Sequence, residues 1–192
     1  MKKTLFSVLA AMVLAGPAFA GVIDFESTGT FHNVNNLDYD IDGFKFNFTM
    51  DNVDIGSGAP WEFEGPAHSG RFAALNNYGG AGEMTKANGS TFSLDSLWLK
   101  NWSGSQSGSL IGYLNGQAVG TVSFLLSNNQ WSKVTGNFAQ IDMLRISTDG
   151  IFLVDDIAVD ITANVPEPSS LALLGLGLLG LTSTARKTRR KS

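Results

Sequence analysis

Short stretches in which apolar and polar residues alternate run through the middle of the chain, residues 21–163. Phe44, Phe46 and Phe48 alternate with polar residues, the period of a half-buried strand. Clusters of Gly, Asn, Ser and Asp separate these stretches and are typical of turns. About nine or ten strands at this spacing predict an all-β antiparallel jelly roll or β-sandwich.

One hairpin stands out in this pattern. Apolar residues 109–114 and 118–125 flank Asn115-Gly116. Both turn residues tolerate positive φ, so the pair predicts a two-residue type I′ turn between adjacent antiparallel strands.

The first 20 residues have the three parts of a secretory signal. A basic start is followed by an apolar run at residues 5–15, which is too short to span a bilayer. Ala18 and Ala20 supply the small residues before a cleavage site. We therefore expect an N-terminal signal helix at residues 1–20 and a mature chain that begins at Gly21.

The last 29 residues, 164–192, form a second segment with three parts. A proline-rich motif comes first, a predicted helix at residues 169–185 with an apolar run at 171–181 follows, and a basic cluster ends the chain. The helix would extend about 25 Å, the lower limit for a membrane span. The basic tail predicts a cytoplasmic C-terminus. The motif consists of Val165, Pro166, Glu167 and Pro168.

This tail resembles the PEP-CTERM sorting signal of Gram-negative bacteria. The resemblance implies recognition by an exosortase-like membrane protease, removal of the tail, and transfer to the cell surface or release. It also implies a transient inner-membrane anchor, and an origin in bacteria that make extracellular polysaccharide and biofilm. A plain C-terminal anchor is the alternative.

Charge and cysteine content exclude several functions for the predicted domain, residues 21–163. Residues 21–164 contain 6 Lys and Arg and 16 Asp and Glu, a net charge of −10. Nucleic-acid binding needs clustered basic residues, so none is expected. The absence of Cys excludes a disulfide framework, thiol catalysis and Cys-ligated zinc.

Several phrases in the middle of the chain are similar to jelly-roll domains of the galactose-binding-like type, which many carbohydrate-binding modules use. The similarity implies a jelly roll and possible sugar binding. These phrases include Gly43-Phe44-Lys45-Phe46, Ser69-Gly70-Arg71-Phe72, Gly112-Tyr113-Leu114-Asn115-Gly116 and Val154-Asp155-Asp156-Ile157.

Aromatic side chains could bind sugar rings by stacking on their faces. Trp61 and Trp102 lie at the edges of Gly- and Ser-containing loops, and Tyr78 precedes a glycine-rich loop. These three are the candidate ligand aromatics. Packing in the core or at its rim is the alternative for each of them.

No catalytic constellation is found in the sequence. His32 and His68 are expected in surface loops, and neither belongs to a recognisable nucleophile or zinc motif. Glu62 and Glu64 would share one face of a strand, a spacing that suits a glycan hydrolase. An acidic, solvated strip is the favoured interpretation, so we expect a protein that is not an enzyme.

Two places could bind a structural Ca²⁺. Asp38, Asp40 and Asp42 match the first half of a calcium loop, but the twelfth position is Thr49 instead of Glu. An acidic turn before a strand is the alternative.

The second place joins the two ends of the domain. If Ile157 and Val159 face the core, the strand period turns Asp155 inward as well, where a carboxylate needs a partner or a metal. The jelly-roll resemblance implies a calcium ion between the first and last strands, where Glu26 and Asp155 or Asp156 match the placement. Carboxylates that cap turns and face water are the alternative.

These observations together predict an exported, non-catalytic cell-surface or matrix protein that could bind extracellular polysaccharide. A purely structural matrix protein without a specific ligand is the main alternative.

Overall fold

The computed structural model describes residues 19–26, 39–47 and 50–161. These residues form antiparallel strands and one short 3₁₀ helix, Glu62–Glu64. Residues 1–18 of the predicted signal helix, the sorting motif and the predicted helix at residues 169–185 lie outside the described residues. The strands are β1 Phe19–Ile23, β2 Tyr39–Ile41, β3 Phe44–Phe46, β4 Asp51–Asp54, β5 Phe72–Leu75, β6 Gly82–Lys86, β7 Phe92–Asn101, β8 Gln106–Leu114, β9 Gln117–Leu126, β10 Ser132–Ile141, β11 Met143–Thr148 and β12 Phe152–Ile161.

Two six-stranded antiparallel sheets form the domain. Sheet A has the order β10-β7-β12-β5-β4, and sheet B has the order β2-β3-β6-β11-β8-β9. In sheet A, β12 pairs with β5 near Leu153 and with β1 near its other end, where Ile23 is opposite Ile157. The first and last strands therefore meet, as the sequence analysis expected.

The main hydrophobic core lies between the two sheets because alternate residues of each strand point inward. Phe44 and Phe46 are buried, whereas Lys45 between them is exposed. Phe44 of sheet B meets Phe92 of sheet A edge to face, with 5.2 Å between ring centroids. The predicted all-β sandwich is confirmed by this arrangement.

Two hairpins turn through residues with positive φ. Asn115 and Gly116 join β8 to β9 with φ of 52° and 76°, which confirms the predicted hairpin. Asp42 and Gly43 join β2 to β3 in the same way, with φ of 52° and 79°. Asp-Gly between apolar strands is itself a strong hairpin signal.

A second, smaller core lies on the outer face of sheet A. The connection between β4 and β5, residues 55–71, crosses this face and is called the covering loop below. Apolar residues of β4, β5, β12 and the loop are buried beneath it, and several tryptophans pack against them. The buried members are Val53, Ile55, Ala67, Ala73, Leu75 and Leu153.

Two sequence predictions, cleavage before Gly21 and a membrane helix at residues 169–185, stay predictions. β1 begins at Phe19, so it extends two residues before the predicted mature N-terminus, Gly21. Within the described ranges, no helix is long and apolar enough to cross a membrane.

Candidate functional site

Hydrogen bonds at both ends hold the covering loop against sheet A. At its start, the Asp54 carboxylate accepts the Gly56 N–H (3.0 Å) and the Arg71 guanidinium (2.9 Å). In its middle, Gly65 ends the 3₁₀ helix with φ of 75°, a conformation that favours glycine. The loop is therefore a formed element of the domain with defined contacts.

A buried hydrogen bond from Lys100 connects the 3₁₀ helix to the sheet. Lys100 of β7 is 3% exposed and Glu64 is 5% exposed. The Lys100 ammonium donates to the Glu64 carbonyl oxygen and lies 5.8 Å from the ring centroid of Trp131. Burial lowers the pKa of Lys100 and raises the pKa of Glu64, and each partner's charge opposes that effect.

Three aromatic side chains meet at the surface of the covering loop. Trp61 lies 5.6 Å from Phe63 and 6.0 Å from Trp102, and Phe63 lies 5.7 Å from Trp102, between ring centroids. Phe63 is 66% exposed, and both tryptophans are half-buried. We call these three residues the aromatic platform.

Phe63 was not predicted from the sequence as a ligand residue. The sequence analysis considered Glu62 and Glu64 on one face of a strand and favoured an acidic strip on a solvated strand or loop. The structure instead shows residues 62–64 in a 3₁₀ helix with about three residues per turn. The helix exposes Glu62 and buries Glu64, and it directs Phe63 outward beside Trp61. The two carboxylates therefore do not face a common substrate.

A cleft of about 350 Å³ adjoins the platform. Glu62, between the two platform residues of the loop, forms part of its wall. The Glu62 carboxylate accepts the Gly58 N–H at 2.8 Å. Arg71, 52% exposed at its side chain, forms another part of the wall. The cleft thus offers charged hydrogen-bonding groups next to exposed rings.

Tyr78, the third predicted ligand aromatic, lies elsewhere on sheet A. It follows β5, whereas Trp102 follows β7, and β12 separates these strands. Two strand spacings correspond to about 10 Å. Tyr78 is 51% exposed and neighbours Asn77, whose amide donates to the buried Asp51 at 3.0 Å. The structure therefore brings Trp61 and Trp102 into contact, with Phe63 as their third partner.

His68 lies in the covering loop, and its ring packs against sheet A. Its ring stacks on Trp98 with 3.8 Å between centroids, and its Nδ1 lies 2.5 Å from Asp156 Oδ2. The Ser69 hydroxyl donates to the other Asp156 oxygen at 2.7 Å. Since Ser69 contacts the carboxylate and not the imidazole, this group lacks the serine-to-histidine bond of a catalytic triad.

The carboxylates predicted to bind calcium between the chain ends gather around the end of the covering loop. Glu26 Oε1 accepts the N–H groups of Arg71 (2.6 Å) and Phe72 (2.7 Å). Asp155 Oδ2 accepts the Ser69 N–H at 3.0 Å. Asp156 contacts the same loop. The carboxylate oxygens at this end of the loop accept hydrogen bonds from N–H and O–H groups.

Asp155 is 0% exposed, but it faces away from the main core. A register irregularity between Asp155 and Ala158, with φ of 43° at Asp156, changes the alternation within β12. Val154 and Ile157 therefore face the main core, and Asp155 lies under the covering loop. Burial raises the pKa of Asp155 to about 7, and the charge of Asp156 acts in the same direction.

The described residues contain no group of three or more His, Asp or Glu side chains arranged to hold a metal ion. Calcium binding by Glu26, Asp155 and Asp156 therefore stays a prediction. At the other predicted place, Asp42 forms the β2–β3 turn and Asp38 lies outside the described ranges. The hairpin agrees with the acidic turn that the sequence analysis kept as the alternative.

The comparisons with known structures establish the class of fold. A DUF4465 family protein from Bacteroides caccae is similar over 73% of this chain and 98% of its own, with a TM-score of 0.57 and 15% identity. A family 22 carbohydrate-binding module from Clostridium thermocellum has a TM-score of 0.42 and 15% identity, over 77% of this chain and 95% of its own. A xylan-binding domain from Paenibacillus barcinonensis has a TM-score of 0.41 and 11% identity, over 76% of this chain and 97% of its own. The last two scores are too low to bear on ligand binding.

The C-terminus gives the more particular result. Residues 164–190 match the PEP-CTERM protein-sorting motif. The match confirms the predicted sorting signal and implies an exported protein with a C-terminal membrane anchor before processing. A comparison with curated proteins gives no significant match.

Proposed function

We propose that the chain is a cell-surface or matrix protein whose exported domain binds extracellular polysaccharide through the aromatic platform. An exosortase-like protease cleaves the C-terminal tail after export. The domain carries no catalytic role, and its ligand-binding face is the outer face of sheet A with its covering loop.

The mutual contact of Trp61, Phe63 and Trp102 at the surface carries this proposal. Aromatic rings present an apolar face to the C–H groups of a sugar ring, and the adjoining Glu62 and Arg71 can hydrogen-bond its hydroxyl groups. The buried hydrogen bond from the Lys100 ammonium to the Glu64 carbonyl oxygen holds the platform in place before a ligand arrives. A pre-organised site loses less conformational entropy on binding.

Affinity gel electrophoresis with soluble neutral and acidic polysaccharides tests the proposal. Covering about 60–80 Å² of the Phe63 ring contributes about 1.5–2 kcal/mol. Phe63→Ala should therefore weaken binding by about 10- to 30-fold. Trp61→Ala and Trp102→Ala should weaken it by at least as much. The matched control is Tyr78→Ala, which removes an exposed aromatic outside the platform and should retain binding.

Equal retardation of the wild-type chain and the platform variants by every polysaccharide would contradict this function. If no polysaccharide retards the wild-type chain, including one from the organism itself, a structural matrix protein without a glycan ligand becomes the better explanation.

A further inference from the structure

Strand β9 forms an open edge of sheet B. Among the described strands, β8 is the only one that pairs with it. Leu125 on β9 is 70% exposed, more than any other large hydrophobic residue described as exposed. Val122 and Phe124, which point toward the core, are only partly buried. The edge therefore presents both backbone groups and apolar surface to solvent.

Strands β10 and β4 end the order given for sheet A, and β2 ends the order of sheet B opposite β9. These three strands have features that oppose pairing with another chain. β2 is only three residues long, and β4 contains two aspartates. β10 has an exposed Lys133 and two register irregularities. β9 is ten residues long and contains neither charge nor proline. Its one irregularity, beside Val119, leaves residues 120–126 in regular register.

The lack of charge extends beyond β9. Residues 101–132 contain no Asp, Glu, Lys, Arg or His, although residues 21–164 have a net charge of −10. Two copies of so acidic a domain repel each other over most of their surfaces. The β8–β9 hairpin is a region where a second copy can approach without opposing a like charge.

The regular part of β9 is also self-complementary. When two copies run antiparallel with Ser123 opposite Ser123, Val122 lies opposite Phe124 on the inner face. Thr121 then lies opposite Leu125 on the outer face. Direct pairs of β-branched and aromatic residues, and of hydroxyl residues, stabilise antiparallel ladders. The overlap spans seven residues, or about 24 Å of strand.

We propose that β9 is a self-association edge, through which two copies of this chain join their B sheets into one continuous antiparallel sheet centred on Ser123. The contact is independent of the aromatic platform, which lies on sheet A. A dimer would thus present two platforms to one polysaccharide network.

Disulfide formation tests the contact, because the chain contains no cysteine of its own. In the proposed dimer the Cα atoms of the two Ser123 residues lie about 4.5–5.5 Å apart, within the range of a disulfide. Ser109 lies opposite Ser123 on β8, so the two Ser109 residues are three strand spacings apart, about 14 Å. Ser109→Cys is therefore a matched control for Ser123→Cys.

For this test the full chain is purified in a mild detergent and oxidised under dilute conditions. Its Ser123→Cys variant should form at least tenfold more disulfide dimer than its Ser109→Cys variant. Ser123→Lys places like charges opposite each other and should weaken association about tenfold in sedimentation. The control is Thr135→Lys, at an exposed position on β10, which should not change association. Equal cross-linking of the two cysteine variants would overturn the proposal, because contacts between the tails alone would produce it. Absence of cross-linking in both variants would overturn the proposal as well. So would unchanged association of Ser123→Lys.

Discussion

Lys100→Met removes the ammonium group that hydrogen-bonds the 3₁₀ helix to sheet A. The substitution keeps the length and apolar stem of the side chain but leaves the Glu64 carbonyl oxygen without its donor and the Glu64 carboxylate without a nearby positive charge. Losing a hydrogen bond from a charged donor costs about 1.5–3 kcal/mol. For a domain of about 150 residues this corresponds to a decrease of about 5–10 °C in Tm.

The pH dependence of this loss has a definite sign. Burial already raises the pKa of Glu64, and without Lys100 it should rise further. A carboxyl group whose pKa is higher in the folded state contributes its full stability at pH values below its unfolded-state pKa. That contribution is lost as the pH rises through its folded-state pKa. Lys100→Met should therefore cost less at pH 4 than at pH 7. The double variant with Glu64→Gln should recover the part of the loss that comes from the carboxylate charge and should remove its pH dependence.

Urea unfolding at both pH values, followed by tryptophan fluorescence, measures these differences. Lys133→Met is the matched control, since Lys133 is exposed on β10, and it should change stability by less than about 0.5 kcal/mol. If Lys100→Met remains within about 1 kcal/mol of the wild type at pH 7 and shows no pH dependence, the Lys100 ammonium does not hold the covering loop.

Three further predictions concern other parts of the chain. Glu167→Ala should leave unprocessed protein in the inner membrane, which immunoblotting of membrane fractions will show. If Glu26 and the β12 aspartates bind Ca²⁺, a concentration of ~100 times its dissociation constant should raise the free energy of unfolding by ~2.7 kcal/mol. An unchanged Tm after complete chelation would exclude such an ion. Gly70→Ala should lower Tm, because its φ is +56° and its Cβ would lie 2.4 Å from the Glu26 carboxyl group. Val119→Ala, at an exposed position, should leave Tm unchanged.

Alternating residues predicted the fold because each strand buries one face. Phe44 and Phe46 were expected inside and are buried, and Asn115-Gly116 was expected to form a tight turn and does so. These features depend on local backbone geometry and burial. They can therefore be inferred without knowing which strands are neighbours.

The candidate site was less predictable, because it depends on contacts between distant segments. Trp61 and Trp102 were proposed as ligand residues, but nothing local indicates that they meet. Phe63 was missed because residues 62–64 form a 3₁₀ helix, whose Glu64 carbonyl oxygen accepts a hydrogen bond from Lys100 of the distant strand β7. The burial of Asp155 under the loop likewise depends on an irregularity in β12 that its sequence does not reveal.

Tryptophan fluorescence during a polysaccharide titration tests the proposed binding surface most directly. All four tryptophans of the chain lie on or beside the outer face of sheet A. Saturating binding should change the emission of these tryptophans. The change should disappear in the triple variant that carries Trp61→Phe, Phe63→Ala and Trp102→Phe. Polysaccharide binding that leaves the emission of the wild-type chain unchanged would contradict the account and place the ligand on another face.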